Sequence, residues 1–315
     1  SSLRRLLTIT VSTAMAAGSL PVLCAQDLAP RAYIITPVHW NAITLSDAFN
    51  DGDILLEGAI PVTGGTGKGH IPALSLYHAL GFFGRSASVV ASLPYGVMNF
   101  HGTVAGAEAS VYRSGLLDAV FRFSVNLKGA PAMAPGEYGK WQQKALLGFS
   151  LKVVAPTGQY DATKLINWGA NRWAFRPELG LSRRWGHWVL DAYGGVWFYT
   201  TNPEYFSHNA SVPGTQTHSQ KPVVAFETHL SYDVRSRFWV SIDGNFWTGG
   251  RTSLNGVENP ATEQRSSRVG VSASFPLTRH QSVKASYANG AYVRFGGDFQ
   301  VVSLAWQYSW IGRPN

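Results

Sequence analysis

Charged side chains recur at every second position in several segments of this chain, opposite a face of apolar side chains. Around residue 178, for example, Arg176, Glu178 and Arg184 share one side, while Leu179 and Leu181 share the other. This period of two is typical of β-strands. A sheet face that carries both acids and bases could form a polar track for a solute or a hydrolytic site. The candidate residues are Asp118, Arg122, Lys152, Arg172, Arg176, Glu178, Arg184, Asp191, Glu227, His229, Asp233 and Asp243.

His229 and Asp233 are the pair in this set with the best spacing for catalysis. Four positions apart on one strand, they would share a face, with the histidine as base and the carboxylate orienting it. A hydrolase also needs a Ser or Thr nucleophile, and no nucleophile motif stands nearby. We therefore predict no catalytic residues and no enzyme, and keep a barrel-embedded lipid hydrolase of the outer membrane as an alternative.

Metal, nucleotide and nucleic-acid sites are also weakly supported. The segment GGTGKG at 64–69 lacks the upstream glycine and the Ser or Thr after the lysine that a phosphate-binding loop needs. His208 and His218 are ten residues apart and lack the full set of ligands that a metal site needs, so we expect a solvated loop there. No run rich in Lys and Arg indicates nucleic-acid binding. We expect no cofactor, no metal and no nucleic-acid partner.

The elements that must position the candidate residues are strands. Three alternating segments lie between Ala145 and Asn202, and others precede and follow them. We count about 12 to 14 strands of roughly 8–13 residues, joined alternately by tight turns and longer loops. The first hairpin is predicted to turn at 50–52, residues 64–69 to form a glycine-rich loop, and residues 129–143 to form a loop with one short helix.

Composition decides which strand face looks outward. Charged residues make up 14% of the chain and aromatic residues 13%, against about 25% charged in an ordinary soluble domain. A soluble β-sandwich or lipocalin-like binder would need more surface charge. No segment after residue 25 approaches about 18 consecutive apolar residues, so membrane-spanning helices are not expected. The remaining architecture that can cross a bilayer is a closed β-barrel with its apolar face outward.

The two ends of the chain support export to an outer membrane. Residues 1–25 have two arginines, then an apolar run, and end at Cys24 and Ala25, which predicts a cleaved signal peptide. Residues 26–315 are then one barrel domain in the outer membrane of a Gram-negative bacterium. The apolar, aromatic-rich face of the last strand, 302–310, is similar to the assembly signal of outer-membrane proteins. We expect the lipid bilayer and the outer-membrane assembly machinery as partners.

Several segments carry a family resemblance that covers nearly all of the predicted mature chain. These are LPYG (93–96), VVAPTGQYD (153–161), INWGANRWAFRPELGLS (166–182), YGGVWFYTTN (193–202) and GGDFQ…LAWQY (296–308). They resemble the outer-membrane transporters grouped under the meta-pathway of phenol degradation. The resemblance implies a β-barrel tied to aromatic catabolism and supplies no catalytic residues.

Together these observations predict an all-β, closed, antiparallel up-and-down transmembrane barrel whose lumen is lined by the twelve candidate residues. Opposite charges on neighbouring strands would pair, at about 0.2–1 kcal/mol per pair. The predicted function is passive uptake or export of small hydrophobic or aromatic compounds. A barrel that fills its lumen with charge and conducts nothing is the structural alternative.

Overall fold

The computed structural model describes residues 29–55, 62–104 and 106–312 and consists almost entirely of strands. It has one short helix, α1 (Pro135–Tyr138), and a 3₁₀ turn at Pro260–Thr262. No helix in the described ranges is long and apolar enough to cross a membrane. The strands are β1 (Trp40–Leu55), β2 (Val62–Phe82), β3 (Arg85–Val104), β4 (Ala107–Leu116), β5 (Ala119–Lys128), β6 (Ala145–Ala155), β7 (Ala174–Trp185), β8 (Trp188–Tyr199), β9 (His218–Gln220), β10 (Val223–Arg235), β11 (Phe238–Gly249), β12 (Thr252–Leu254), β13 (Val257–Asn259), β14 (Gln264–Pro276), β15 (Gln281–Tyr292) and β16 (Gly296–Ile311).

The main sheet closes on itself. Each strand pairs antiparallel with its neighbours, and β1 pairs with β16 from Trp40↔Ile311 to Leu55↔Gly296. β4 and β5 lie end to end along β3, so the 13 strands of the sheet occupy 12 positions in the barrel. The prediction of a closed antiparallel barrel with about 12 to 14 strands is confirmed.

The connections differ between the two ends of the barrel. At one end, tight turns such as 186–187 and 236–237 join the strands, and α1 lies in the loop that follows β5. At the other end, longer loops cover 156–173, 200–222 and 250–263, and the last two contribute β9, β12 and β13 to a small three-stranded sheet. Short periplasmic turns and long external loops are typical of outer-membrane barrels.

The two faces of the barrel wall have opposite chemistry. Leu179 is 55% exposed and Ile242 is 68% exposed, while Arg176 on the opposite face is 2% exposed. A soluble sheet has the reverse arrangement, since it buries its apolar face in a core. The outer face therefore suits contact with lipid tails, and the charges look inward, as the composition predicts.

The beginning of the barrel differs from the prediction. Residues 50–52 do not form a turn but lie within β1, and residues 64–69 lie within β2. Gly52 is needed for close approach rather than for turning, because a Cβ there would lie 2.1 Å from the Asp298 carbonyl oxygen. The predicted helix in the loop after β5 is confirmed by α1. The predicted signal peptide, residues 1–25, lies outside the described residues.

We predict that Ile242→Arg lowers the free energy of unfolding from a bilayer. Ile242 lies midway along β11 on the exposed apolar face, and arginine at mid-depth costs about 2–4 kcal/mol on the lipid face of a barrel. Urea unfolding in lipid vesicles measures this change, with Ile242→Leu as the control. An arginine variant as stable as the leucine variant would show that this face does not contact lipid.

Candidate functional site in the barrel interior

A chain of buried ion pairs crosses the inner face of β7, β10 and β11. The Arg176 guanidinium contacts the Glu178 and Glu227 carboxylates, each at 2.7 Å. His229 Nδ1 lies 2.8 Å from an oxygen of Asp243, directly opposite on β11, and its Nε2 lies 3.6 Å from Glu227. Because an unpaired charge is costly to bury, each member depends on its partners.

Hydroxyl groups and one further arginine complete this chain. Ser241 and Ser272 donate to the Asp243 carboxylate, at 3.1 and 2.7 Å. At the other end, Arg122 Nη2 lies 3.3 Å from Glu178. The network thus extends from β5 to β14 and ties the strands of one wall together through their side chains.

The segment before β1, residues 29–39, contributes side chains to the same wall. Arg31 Nη2 donates to Asp233 at 2.6 Å, and its Nε donates to Ser231 at 3.0 Å. Its backbone N–H donates to Asp191 at 3.2 Å, and Arg184 also contacts Asp233. Two candidate carboxylates, Asp191 on β8 and Asp233 on β10, therefore hold the N-terminal segment against the wall.

Tyr33 fixes the segment by shape as well as by hydrogen bonding. Its ring lies over Gly148 and Gly180, which are paired across β6 and β7, and a Cβ on them would lie 2.3 and 2.1 Å from the ring. Its hydroxyl donates to Glu178 at 3.0 Å and is 3.0 Å from the Ser150 hydroxyl. The two glycines thus make the groove that this ring fills.

Little space remains where the segment meets the charged wall. A cavity there, bounded by Ala32, Lys152, Glu178 and Tyr193, has a volume of about 10 Å³. That is room for about one water molecule. Residues 29–39 therefore pack closely against the charged wall at this point.

An apolar layer lies beyond the charges, toward the long loops. Trp197 of β8 and Trp247 of β11 are both fully buried there. Lys152 Nζ and the Arg176 guanidinium each lie 5.8 Å from the centre of the Trp197 ring. Cations at this distance from an indole face are attracted to it. The rest of the layer consists of Val154, Ala174, Val223 and Ala225.

The opposite wall, formed by β15, β16, β1, β2 and β3, has small inner side chains in its middle part, while toward the long loops the same inner face carries the buried Met98, Phe100 and Phe299. Ser75 and Ser92 share a hydrogen bond of 2.7 Å across β2 and β3, and the Gln307 amide donates to Thr44 at 3.2 Å. These inner residues are half-buried. On the charged wall the central residues, such as Arg176, Glu227 and His229, are buried, while Arg122, Lys152, Arg184 and Asp233 are half-buried as well. The members of the small-residue wall are Thr44, Ser46, Ala48, Ala73, Ser75, Ser92, Ser286, Ser303 and Ala305.

The structure brings ten of the twelve candidate residues to the inner face of one wall and places two elsewhere. Asp118, between β4 and β5, accepts the backbone N–H groups of Gly158 at 2.9 Å and Ala170 at 2.8 Å. Arg172, just before β7, donates to Gln220 at 2.5 Å and lies over the Tyr199 ring. Both therefore fix the long loop between β6 and β7. The ten are Arg122, Lys152, Arg176, Glu178, Arg184, Asp191, Glu227, His229, Asp233 and Asp243.

Sequence reasoning missed four inner residues. Arg31 and Tyr33 precede the first strand, where no periodicity assigns a face. Trp197 and Trp247 do fall on the polar face of their strands. The alternation in the sequence was therefore enough to predict that both tryptophans point inward. A large aromatic residue among charged positions indicates an interior filled with more than water.

The expectation of a solvated histidine loop is wrong for His218. Its side chain is buried and stacks on Tyr205 with ring centres 4.6 Å apart. Burial, together with the charge of Arg172, lowers the pKa of His218 to about 3. Within the described ranges, no group of three His, Cys, Asp or Glu side chains is placed to hold a metal ion.

We predict that Arg176→Met lowers the free energy of unfolding by about 3–5 kcal/mol, because it leaves Glu178 and Glu227 buried without their shared cation. Urea unfolding followed by tryptophan fluorescence measures this loss in the free energy of unfolding. The control is Lys221→Met, whose Nζ pairs with Glu258 at the surface and which should cost less than about 1 kcal/mol. Equal effects of the two substitutions would contradict a stabilising role for the buried chain.

We predict that Arg31→Ala releases the N-terminal segment from the wall. The substitution removes hydrogen bonds to Asp233 and Ser231, and a bond to a charged group is worth about 1.5–3 kcal/mol. Cleavage by chymotrypsin after Tyr33 should then become about tenfold faster or more. Arg279→Ala, in an exposed turn, is the matched control. An unchanged cleavage rate in the Arg31 variant would mean that shape alone holds the segment.

The chain matches, over residues 62–310, the family described as "Putative MetA-pathway of phenol degradation". Among solved structures it is similar to the COG4313 outer membrane channel from Pseudomonas putida F1, with a TM-score of 0.73 and 16% identity over 90% of this chain and 100% of that chain. It is also similar to the transport unit of the autotransporter AIDA-I from Escherichia coli, with a TM-score of 0.52 and 11% identity over 96% of this chain and 97% of that chain. A search of curated proteins returns no match.

These comparisons agree with the geometry. Both solved structures support the closed barrel, and the apolar outer face with buried inner charges is the arrangement that a lipid bilayer requires. The protein is an outer-membrane β-barrel. The family match covers far more than half of the sequence, so the chain belongs to the family of the MetA pathway of phenol degradation.

Proposed function

We propose that this protein is a channel for the passive uptake or export of small hydrophobic or aromatic compounds across the outer membrane. The observation that carries the proposal is the asymmetry of the interior. The centre of one wall is packed with buried paired charges, while the middle part of the wall opposite has small, half-buried inner side chains. A barrel that served only as a scaffold would have no need to keep one inner wall small and accessible.

The chemistry of the accessible wall suits weakly polar solutes. Its inner side chains are mostly serine, threonine and alanine, and pairs such as Ser75 with Ser92 already satisfy each other. A solute that slides along it breaks no ion pair. In this proposal the ten inner charged residues line the lumen, hold the wall rigid and limit its cross-section.

The comparisons support the solute class. One similar structure is itself described as an outer membrane channel, and the family is described by phenol degradation. Neither identifies the solute of this chain. An aromatic compound fits both the family description and the neutral inner wall.

An enzymatic role is less well supported by the geometry. His229 does not approach Asp233, which is held by Arg31 and Arg184. His229 contacts Asp243 and Glu227 instead, and the hydroxyls of Ser241 and Ser272 donate to Asp243 rather than to the histidine. A serine hydrolase needs the hydroxyl on the other ring nitrogen of its histidine. We therefore propose no catalytic residues.

The proposal includes assembly by the outer-membrane insertion machinery. β16 presents Val302, Leu304 and Tyr308 on its exposed face, and it closes the barrel against β1. A cleaved signal peptide at residues 1–25 would deliver the chain to the periplasm.

We predict that blocking the small-residue wall closes the channel. Cys24 is the only cysteine in the sequence and lies within the proposed signal peptide, so an introduced cysteine is labelled alone in the processed chain. Ser75→Cys, modified with a bulky thiol reagent, should reduce the flux of a labelled aromatic solute into liposomes several-fold.

Leu74→Cys is the matched control, since Leu74 is the next residue and lies on the exposed apolar face. Its modification should leave flux unchanged, and a mobility shift on gels after boiling checks that each variant is folded. Flux that equals that of empty liposomes before any modification would refute the channel. Flux that is insensitive to modification at Ser75 would remove the solute path from this wall.

A further inference from the structure

Two cations lie on neighbouring strands at the end of the barrel that has the tight turns. Arg85 begins β3 and Lys128 ends β5, and the Arg85 guanidinium donates to the carbonyl group of Leu127. Arg85 shares the outer face with the exposed Val89, four positions along β3. A bulge places Lys128 opposite Leu147, whose side chain is exposed on the apolar face. Both cationic side chains are therefore on the outside of the barrel wall.

The described part of the chain provides no acid that neutralises this pair. No carboxylate there lies within ion-pair distance of Arg85 or Lys128. Glu137, the acid closest to Lys128 in sequence, instead accepts the backbone N–H of Ala134 at 2.9 Å. Like charges that lie close together repel each other, so an anionic partner from outside the chain is favoured at this point.

Aromatic side chains mark this end of the two strands as the edge of the apolar band. Phe83, in the turn between β2 and β3, is 90% exposed. Phe82 packs against its ring with 4.7 Å between ring centres, and against Phe123 of β5 at 5.3 Å. Exposed aromatic rings are concentrated where hydrocarbon meets headgroups. Arg85 follows this turn directly, so it lies at the headgroups of the leaflet on the side of the short turns, which is the periplasmic leaflet.

A groove opens on the outer face between these cations and the centre of the bilayer. Its volume is about 540 Å³, which at about 30 Å³ per water-sized group is room for roughly 15 methylene groups or more. Its walls are apolar, and several of them are among the exposed side chains of the outer face. The outer side chains of β1, β2, β3 and β5 that line it are Ile43, Leu76, Val89, Ala91, Phe121 and Phe123.

The spacing between the cations and the groove matches the depth of one lipid leaflet. Val89 and Ala91 lie four and six residues beyond Arg85 on β3, which is about 13–20 Å along a strand. In a strand tilted by about 40°, this corresponds to a depth of about 10–15 Å. One leaflet contributes about 15 Å of hydrocarbon. A lipid whose headgroup lies at Arg85 can therefore place an acyl chain in the groove.

We propose that this part of the outer face is a binding site for an anionic phospholipid of the periplasmic leaflet. The lipid phosphate lies between Arg85 and Lys128, and one acyl chain lies in the groove at Ala91. Phosphatidylglycerol has this chemistry, because its headgroup keeps the negative charge of the phosphate. A zwitterionic lipid carries a cation of its own, which the two basic side chains repel. The site lies outside the barrel and does not depend on the proposed channel.

The test is native mass spectrometry of the detergent-solubilised full chain, which counts the lipids that stay bound. From an equal mixture of phosphatidylglycerol and phosphatidylcholine with identical acyl chains, the protein should retain phosphatidylglycerol preferentially. Arg85→Gln and Lys128→Gln should each lower this preference about fivefold, the factor that corresponds to about 1 kcal/mol per cation near anionic lipid. Gel mobility after boiling checks that each variant is folded.

Arg235→Gln is the matched control for charge. Arg235 is also exposed at the turn end of its strand, where it pairs with Phe238, but the groove does not extend to β10. Its loss should leave the preference unchanged. Ala91→Trp fills the groove, keeps both cations and should lower the retention of both lipids several-fold. Ala192→Trp, on the exposed outer face of β8, is the control for the added ring.

Each part of the site can fail separately. Equal retention of the two lipids by the unaltered protein overturns the headgroup site, as does an equal loss of preference in the Arg235 variant, which would indicate a generally basic rim. Displacement of phosphatidylglycerol by excess inorganic phosphate would show a site for a free anion instead of a lipid. Retention that is unaffected by Ala91→Trp would remove the acyl chain from the groove. Solute flux enters none of these measurements, so the channel and the lipid site stand or fall independently.

Discussion

Pairing of the first strand with the last is the constraint on which the rest of the structure depends. A bilayer offers no partner to a backbone N–H or carbonyl group, so a sheet can cross it only without a free edge. The pairing of β1 with β16, from Trp40↔Ile311 to Leu55↔Gly296, removes that edge. Once the sheet is closed, one of its faces becomes the outer surface in contact with lipid, and the other lines an interior that is shielded from lipid.

Closure then decides how the interior can be filled. Charges such as Arg176, Glu227 and His229 lie where water is scarce, and each is held by a partner of opposite charge. Segment 29–39 adds Arg31 and Tyr33 to the same wall. The result is a half of the interior packed with paired charges, beside a half whose middle part has small, half-buried side chains.

That division relates the fold to the proposed transport. A solute path needs one wall that does not bind strongly and another that keeps the barrel from collapsing, and the two halves provide these separately. The apolar layer around Trp197 and Trp247 lies across the charged half toward the external loops.

The sequence by itself determined the alternating strands between 145 and 202, which of their faces is apolar, and the membrane class, because period-two alternation and low charge are local properties. It did not determine the first strand: Asn50 and Gly52 are turn residues by type, and only the approach of β16 explains why they stay extended. Nor could it place Arg31 and Tyr33, or show that Asp118 and Arg172 hold a loop. These depend on contacts between residues far apart in the chain, which form only when the barrel closes.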